Sequence, residues 1–512
     1  MGRGFPIDRA WMFGGEPDLV FWASMARLFV ASPMFLAAFL ASASAAGQNA
    51  EQAAEHSGEP HWEMEPAALR AWQARLRGGA VRRPLRRQVF GYLPYWGGDW
   101  TRTRFDLLTS ISYFAIELDP EGNVTQRHGW GGATSRALVD EARLWGVKVS
   151  VSVTLFGDRD IAALLSSPAR RARAIDNLIA EVHRGGAEGI SVDFEFVPRS
   201  AKEAFVAFME ALSARLWSEI PGSEVSIAMP AVDWSGAYDF DRLAAASDLL
   251  FIMGYGYHWS GSGPGPLAPI ASGTLWSGRD LTWTIEDYVR YGGEPIRAKL
   301  ILGLPFYGRS WPATSSNVPA ARGQGDAPAI LYRNMSSYLA QHPRQWDSAS
   351  ETPYLVWPSG GQWRQLFYDD ADSWRAKLAL VDAQDVAGVG IWALTYERGT
   401  SDLWDTLEDA LIVTAAPDAG LELDAGTGAP DGAAPAIDAG EAPQDAAALN
   451  QDAAEPGPAS DAGGVDPAAA VDTPADPGCG CAATGHRAPV FSGLLLLWLL
   501  AAGGVLAWRR GR

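Results

Sequence analysis

Between Val89 and Ala393 the chain repeats one arrangement. A short apolar run is followed, in most cases, by a stretch of helical periodicity. The runs fall at 89–95, 111–117, 147–153, 189–198, 225–229, 249–253, 299–304 and 388–393; helical patterns fall at 135–145, 161–184, 201–217, 239–246, 285–291 and 400–411. Apolar strands alternating with helices mark parallel βα units, because each crossover lays a helix over a sheet face. Eight such strands over about 320 residues predict an α/β chain folded as a (β/α)8 TIM barrel. The segment 309–385 is longer than one βα unit needs and holds strand-like runs at 354–357 and 365–368. It predicts a small α+β insertion before the last strand, on the loop side.

The run 189–198 carries the chemistry. At period two, Ile190, Val192, Phe194 and Phe196 share one face, and Ser191, Asp193 and Glu195 share the other. The apolar face calls for packed helices. The acids lie near the C-terminal end of the strand, which in a parallel barrel faces the active site. Two acids on a strand end are common enough that a solvated end is the bland alternative.

Five motifs in order supply more. Glu188-Gly-Ile-Ser-Val-Asp-Phe-Glu195 resembles the D-G-x-D-x-D-x-E motif of glycoside hydrolase family 18, the chitinase family. Phe90-Gly-Tyr-Leu-Pro-Tyr-Trp96 resembles that family's first strand, Ile252-Met-Gly-Tyr255 its sixth, the run 299–309 its seventh, and Gly390-Ile-Trp-Ala393 its eighth. The resemblance covers about 87–412, and the wording after Asp193 is most like the branch containing spore-cortex peptidoglycan hydrolases. It implies that Glu195 is the general acid, that Asp193 holds the substrate's acetamido N–H, and that Tyr255 bonds the acetamido oxygen. It implies a retaining, substrate-assisted mechanism without a protein nucleophile. The family pattern also places Trp392 under the reacting sugar; Ser191, Met253, Tyr307 and Arg309 are further candidate substrate contacts, with a structural ion pair as the competing role for Arg309, and Trp96 and Trp259 are candidates because they follow predicted strands on the loop side, with a core position as the alternative for each. Trp234 and Trp311 also follow strands on the loop side, and Met229 lines the same pocket. Three departures stand out: Glu188 and Ser191 replace motif aspartates, and Gly256 follows Tyr255 where many members have Asp. A like charge at Asp193 is expected to raise the Glu195 pKa.

The expected substrates are N-acetylated polysaccharides or oligosaccharides: chitin, chitooligosaccharide or peptidoglycan glycan. The competing reading is a non-catalytic or weakly catalytic cell-surface carbohydrate-binding protein on the same barrel; the presence of Glu195 favours the enzyme. The seven histidines are scattered and the only cysteines are Cys479 and Cys481, so no metal and no cofactor is expected. Without disulfides in the barrel region, stability must come from a large core.

The remaining segments concern location. Arg27, an apolar run at 28–40 and a small-residue zone at 41–46 read as a signal peptide starting at Met25, with cleavage near Ala45 or Ala46. Residues 47–86 are Ala- and Arg-rich and read as a short helix and a linker. Much of the formal net charge of -19 lies in the C-terminal region: from Gly399 to His486 there is no Lys or Arg but about 17 Asp and Glu. No basic face is visible, so nucleic acid is excluded as a partner. Residues 413–478, rich in Ala, Asp, Pro and Gly, cannot bury enough apolar surface to fold and read as a self-repelling spacer. The stretch 479–512 resembles the Cys-containing sorting tail of myxobacterial surface proteins, with an apolar run at 489–508 long enough to span a bilayer and Arg509, Arg510 and Arg512 on the cytoplasmic side. The expectation is an exported monomer held at the cell surface through a membrane-spanning tail.

Overall fold

The computed structural model describes residues 48–75, 83–276 and 278–413. The expected signal peptide, acidic spacer, cysteines and membrane span lie outside them. Among the described residues no helix is long and apolar enough to cross a membrane, and no group of three or more His, Cys, Asp or Glu could hold a metal ion.

Two helices, α1 (Gln48–Glu55) and α2 (Pro66–Arg75), precede the first strand. Then follow β1 (Gln88–Pro94), β2 (Ser110–Leu118), β3 (Val124–Gln126), α3 (Ala133–Leu144), β4 (Lys148–Phe156), α4 (Asp158–Ser166), α5 (Pro168–Gly185), β5 (Gly189–Glu195), α6 (Lys202–Glu219), β6 (Glu224–Pro230), α7 (Phe240–Ala245), β7 (Leu249–Met253), α8 (Leu281–Gly292) and β8 (Leu300–Pro305). An excursion of β9 (Tyr307–Ala313), β10 (Ala329–Leu331), α9 (Met335–Leu339), β11 (Gln345–Asp347), β12 (Thr352–Ser359) and β13 (Gln362–Phe367) leads to α10 (Ala371–Ala383), β14 (Gly388–Trp392) and α11 (Asp402–Leu411).

Strands β1, β2, β4, β5, β6, β7, β8 and β14 pair in parallel, and β1 closes on both β2 and β14. This is the expected (β/α)8 barrel, with β3 appended antiparallel to β2. The insertion is an antiparallel five-stranded sheet in the order β10-β9-β13-β12-β11.

Aromatic rings fill the barrel interior. The Phe251 ring packs against Phe90 at 5.4 Å and edge-on to Tyr92 at 4.7 Å. It fits because Gly303 and Gly390 lie against it; a Cβ at either position would collide with the ring. On the outer face of β5, Phe194 stacks on Phe205 and Phe208 of α6, as the period-two pattern requires.

Two departures from the sequence expectation have local causes. The helical stretch 161–184 is two helices, because Ser167 caps α5 by accepting from the Arg170 N–H and Pro168 occupies its first turn. The stretch expected as a linker packs on the barrel: Trp72 of α2 meets Trp100 edge-on at 5.6 Å, and Met64 N–H donates to Thr134 Oγ1 at 3.0 Å.

Candidate active site

The C-terminal ends of the barrel strands bring the predicted catalytic residues together. Glu195 is the last residue of β5 and is fully buried. Its backbone carbonyl accepts from Gly157 N–H at 3.1 Å, and Tyr238 OH donates to the neighbouring Phe194 carbonyl at 3.0 Å. Phe196 follows at φ 71, so the chain turns out of the sheet immediately after the acid. The strand is therefore shorter than its alternation suggests, and Phe196 is not part of it.

Asp193 lies one inward position earlier, in register with Thr154 of β4, and is also fully buried. Glu195 is held well above the ordinary carboxyl range. Burial is the largest cause; the Asp193 charge comes second, and the N–H of Ala50 opposes both. The sequence shows only the Asp193 charge, because burial of a strand end cannot be read from alternation. Tyr255, two residues beyond β7, is buried, and burial followed by nearby Tyr307 pushes its phenol well up, so it remains a neutral donor.

Trp392 ends β14 with no exposed surface, walled edge-on by Phe114 at 4.9 Å and Tyr92 at 5.6 Å. Trp96 donates its indole N–H to Tyr396 OH at 3.1 Å. Tyr396 lies four residues beyond Trp392 and belongs to the same wall. Sequence reasoning missed it, although its spacing from Trp392 was visible. Met253 is buried at the end of β7. Tyr307 opens β9, its ring 6.4 Å from that of Tyr255.

Other candidates occupy different places. Ser191 is not turned to the cleft: its hydroxyl and that of Tyr92 are hydrogen-bonded at 2.8 Å inside the barrel. Arg309 is buried and structurally engaged, donating to the Ala327 carbonyl at 2.6 Å and pairing with Glu51 at 3.2 Å. Trp259 folds its ring over Gly261 of its own loop, and its carbonyl accepts from the buried Trp311 indole at 2.9 Å. Trp311 is thus a core residue of the insertion, while Trp234 is exposed. Glu188, where the motif departs, pairs with Arg143 at the opposite end of β5 from Glu195.

The element that sequence reasoning did not bring here is α1. Ala50 N–H donates to Glu195 Oε1 at 2.8 Å. Gln52 Oε1 accepts from Trp392 Nε1 at 2.8 Å and from Tyr396 OH at 3.0 Å. His56 stacks on Trp96 at 4.9 Å. An eight-residue polar helix has no periodic signal that could place it 145 residues away against Glu195.

The family model described as Glycosyl hydrolases family 18 matches residues 88–397. The sequence is similar to a protein of Bacillus subtilis (strain 168) named as a sporulation-specific glycosylase, 26% identical over 295 residues, 56% of this chain and 66% of that one. It is also similar to the Cortical fragment-lytic enzyme of the same organism, 25% identical over 250 residues, 47% of this chain and 54% of that one. The chain thus spans between about half and two thirds of the length of these curated relatives. In three dimensions it is similar to a GH18 chitinase from Cycas revoluta in complex with (GlcNAc)3, with a TM-score of 0.55 and 21% identity, covering 63% of this chain and 99% of that one. At that identity the likeness establishes the fold.

Proposed function

The chain belongs to glycosyl hydrolase family 18, and on that premise we propose that it is a retaining glycosidase cleaving β-1,4 bonds next to N-acetylglucosamine. One observation carries the reading. A fully buried carboxyl with a raised pKa, Glu195, shares the barrel mouth with a second buried carboxyl, Asp193, and with Trp392 and the neutral phenol of Tyr255. A carboxyl with a raised pKa keeps its proton to higher pH than the ordinary carboxyl of a solvated strand end, which suits it to proton donation.

The proton of Glu195 goes to the glycosidic oxygen as its bond to the anomeric carbon breaks. The carbonyl oxygen of the substrate's own 2-acetamido group bonds to that carbon, forming an oxazolinium ion. Asp193 holds the acetamido N–H, and Tyr255 donates to the acetamido oxygen. Water then attacks the anomeric carbon and gives a proton to the Glu195 carboxylate, and the acetamido oxygen leaves. Trp392 forms the apolar floor on which a sugar ring stacks. The mechanism restricts substrates to sugars with an N-acetyl group, and the relative named for cortical fragment lysis favours peptidoglycan glycan beside chitooligosaccharide. Export and retention at the cell surface by the C-terminal tail would put the barrel next to such polymers.

The test is a side-by-side assay of the full chain on chitooligosaccharides and on peptidoglycan, scored by new reducing ends. Hydrolysis of one or both supports the reading. Sugar binding without any new reducing end would instead favour the carbohydrate-binding alternative.

A further inference from the structure

We infer that α1 is a built-in occupant of the sugar pocket, and that N-acetylated sugars gain the cleft only when this segment is displaced. The inference rests on the proposed reading of the cleft as a sugar site and adds its regulation.

The contacts of the segment with Glu195, Trp392 and Trp96 take groups that the sugar would need, and its pairing with Arg309 anchors it. Ala50 N–H occupies Glu195 Oε1. In that bond Glu195 is the acceptor, which favours the carboxylate, whereas cleavage needs it as a proton donor. Gln52 presents a carboxamide, the functional group of an N-acetyl substituent, to the Trp392 indole N–H and the Tyr396 hydroxyl. Gln52 is only 1% exposed. Glu51 neutralises the buried Arg309, and Glu55 stands near the same guanidinium, its pKa raised mainly by burial. His56 lies nearly parallel to Trp96, at 17°, covering an aromatic face that a sugar could use, and Tyr95 OH holds the His56 carbonyl at 3.1 Å. Beside the segment a cavity of ≈ 300 Å³ remains, lined by Ala50, Ala53 and Ala54 on one side and by Tyr95, Glu117 and His128 on the other.

The segment can be displaced without unmaking the barrel. A helix of eight residues is marginal in water by itself, so its order depends on docking. The chain beyond it is anchored separately through Trp72 on Trp100 and Met64 on Thr134. Residues 57–61 therefore form a tether whose far end is fixed where Trp62 N–H donates to the Tyr95 carbonyl at 3.1 Å, and the tether holds α1 at a local concentration of about millimolar. A sugar must compete with that, and its apparent affinity falls by the fraction of molecules in which the cleft is open.

The experiment places a recognition sequence for a site-specific protease after the exposed Gly58 in the full chain, and compares intact with cut and desalted protein. Three readouts are taken: kcat and KM on a soluble chitooligosaccharide, affinity for chitotetraose, and hydrogen exchange of the amides of residues 48–57. The inference predicts protected amides in the intact chain. It predicts at least about a tenfold rise in kcat/KM on cutting, mostly through KM. The uncut Glu51→Ala/Gln52→Ala variant should move the same way. Free-peptide exchange rates in the intact chain, or equal kcat/KM and equal sugar affinity before and after cutting, overturn it. If neither form hydrolyses but cutting tightens chitotetraose binding, the occupant stands and the hydrolase reading falls.

Discussion

The backbone N–H of Ala50 donates to Glu195 Oε1 across 2.8 Å, so the acid at the end of β5 is in contact with a residue that precedes the barrel altogether. The bond partly offsets the two influences that raise the Glu195 pKa, burial and the charge of Asp193. The net shift is upward, and its sign has consequences for stability as well as for chemistry.

A carboxyl whose folded pKa is raised binds more protons in the folded state than in the unfolded one across the window between its ordinary and raised values. Its contribution is intact below the ordinary carboxyl pKa and is lost as pH rises through that window. Glu195→Gln removes the titration and keeps an oxygen to accept from Ala50 N–H. The variant should unfold at nearly the wild-type temperature near about pH 4 and become the more stable of the two as pH rises, by up to about 1.4 kcal/mol per pH unit within the window. Thermal unfolding at several pH values measures this. A wild type that gains on the variant with rising pH would mean that the folded state favours the charged carboxyl.

Two displacements at one carbon preserve configuration. Fresh digests of a β-linked chitooligosaccharide should therefore show the β anomer at the new reducing end, read by NMR before mutarotation. Initial α product would rule out participation by the acetamido group.

Gly390 lies against the Phe251 ring in the closed barrel, with no room for a Cβ. Gly390→Ala should destabilise the barrel by about 1–3 kcal/mol, the usual cost of overpacking a dense core. Chemical denaturation reads it out. A neutral result would mean that the barrel interior is looser than the contacts of Phe251 with Phe90 and Tyr92 indicate.

Much of this architecture was legible because barrel strands are buried on both faces. The runs at 249–253 and 388–393 coincide with β7 and β14 almost residue for residue, since unbroken apolar runs bounded by turn residues leave little choice of boundary. Glu195, Asp193, Tyr255 and Trp392 were legible as a set only through motif order. The helix break at Ser167-Pro168 was written in local capping chemistry that the longer apolar periodicity obscured. The three-residue strands β10 and β11 are too short to show any period. The placement of α1 follows from pairings such as Glu51 with Arg309 and Gln52 with Trp392, which no local pattern encodes. For Ser191, parity gave the inward face correctly but not that Tyr92 would meet it there.

The C-terminal segment offers a test of location. The acidic stretch 413–478 and the apolar run at 489–508 with its terminal arginines lead to the proposal of a surface-held protein. Cells expressing the full chain should retain it in the envelope fraction, and a chain ending at Ala415 should appear in the medium. Equal release of both forms would show that the tail is no anchor. If Cys479→Ala/Cys481→Ala changes neither location nor gel mobility, the cysteines have no part in sorting.

In the proposed mechanism Glu195 moves the proton. The direct measurement compares turnover of wild type and Glu195→Gln on the better of the two substrates, each with the tether cut, alongside affinity for chitotetraose. An amide is nearly isosteric but cannot give up a proton to the leaving oxygen. The variant should lose at least about 10²-fold in kcat with sugar affinity largely kept. Near-native turnover by Glu195→Gln would contradict the mechanism.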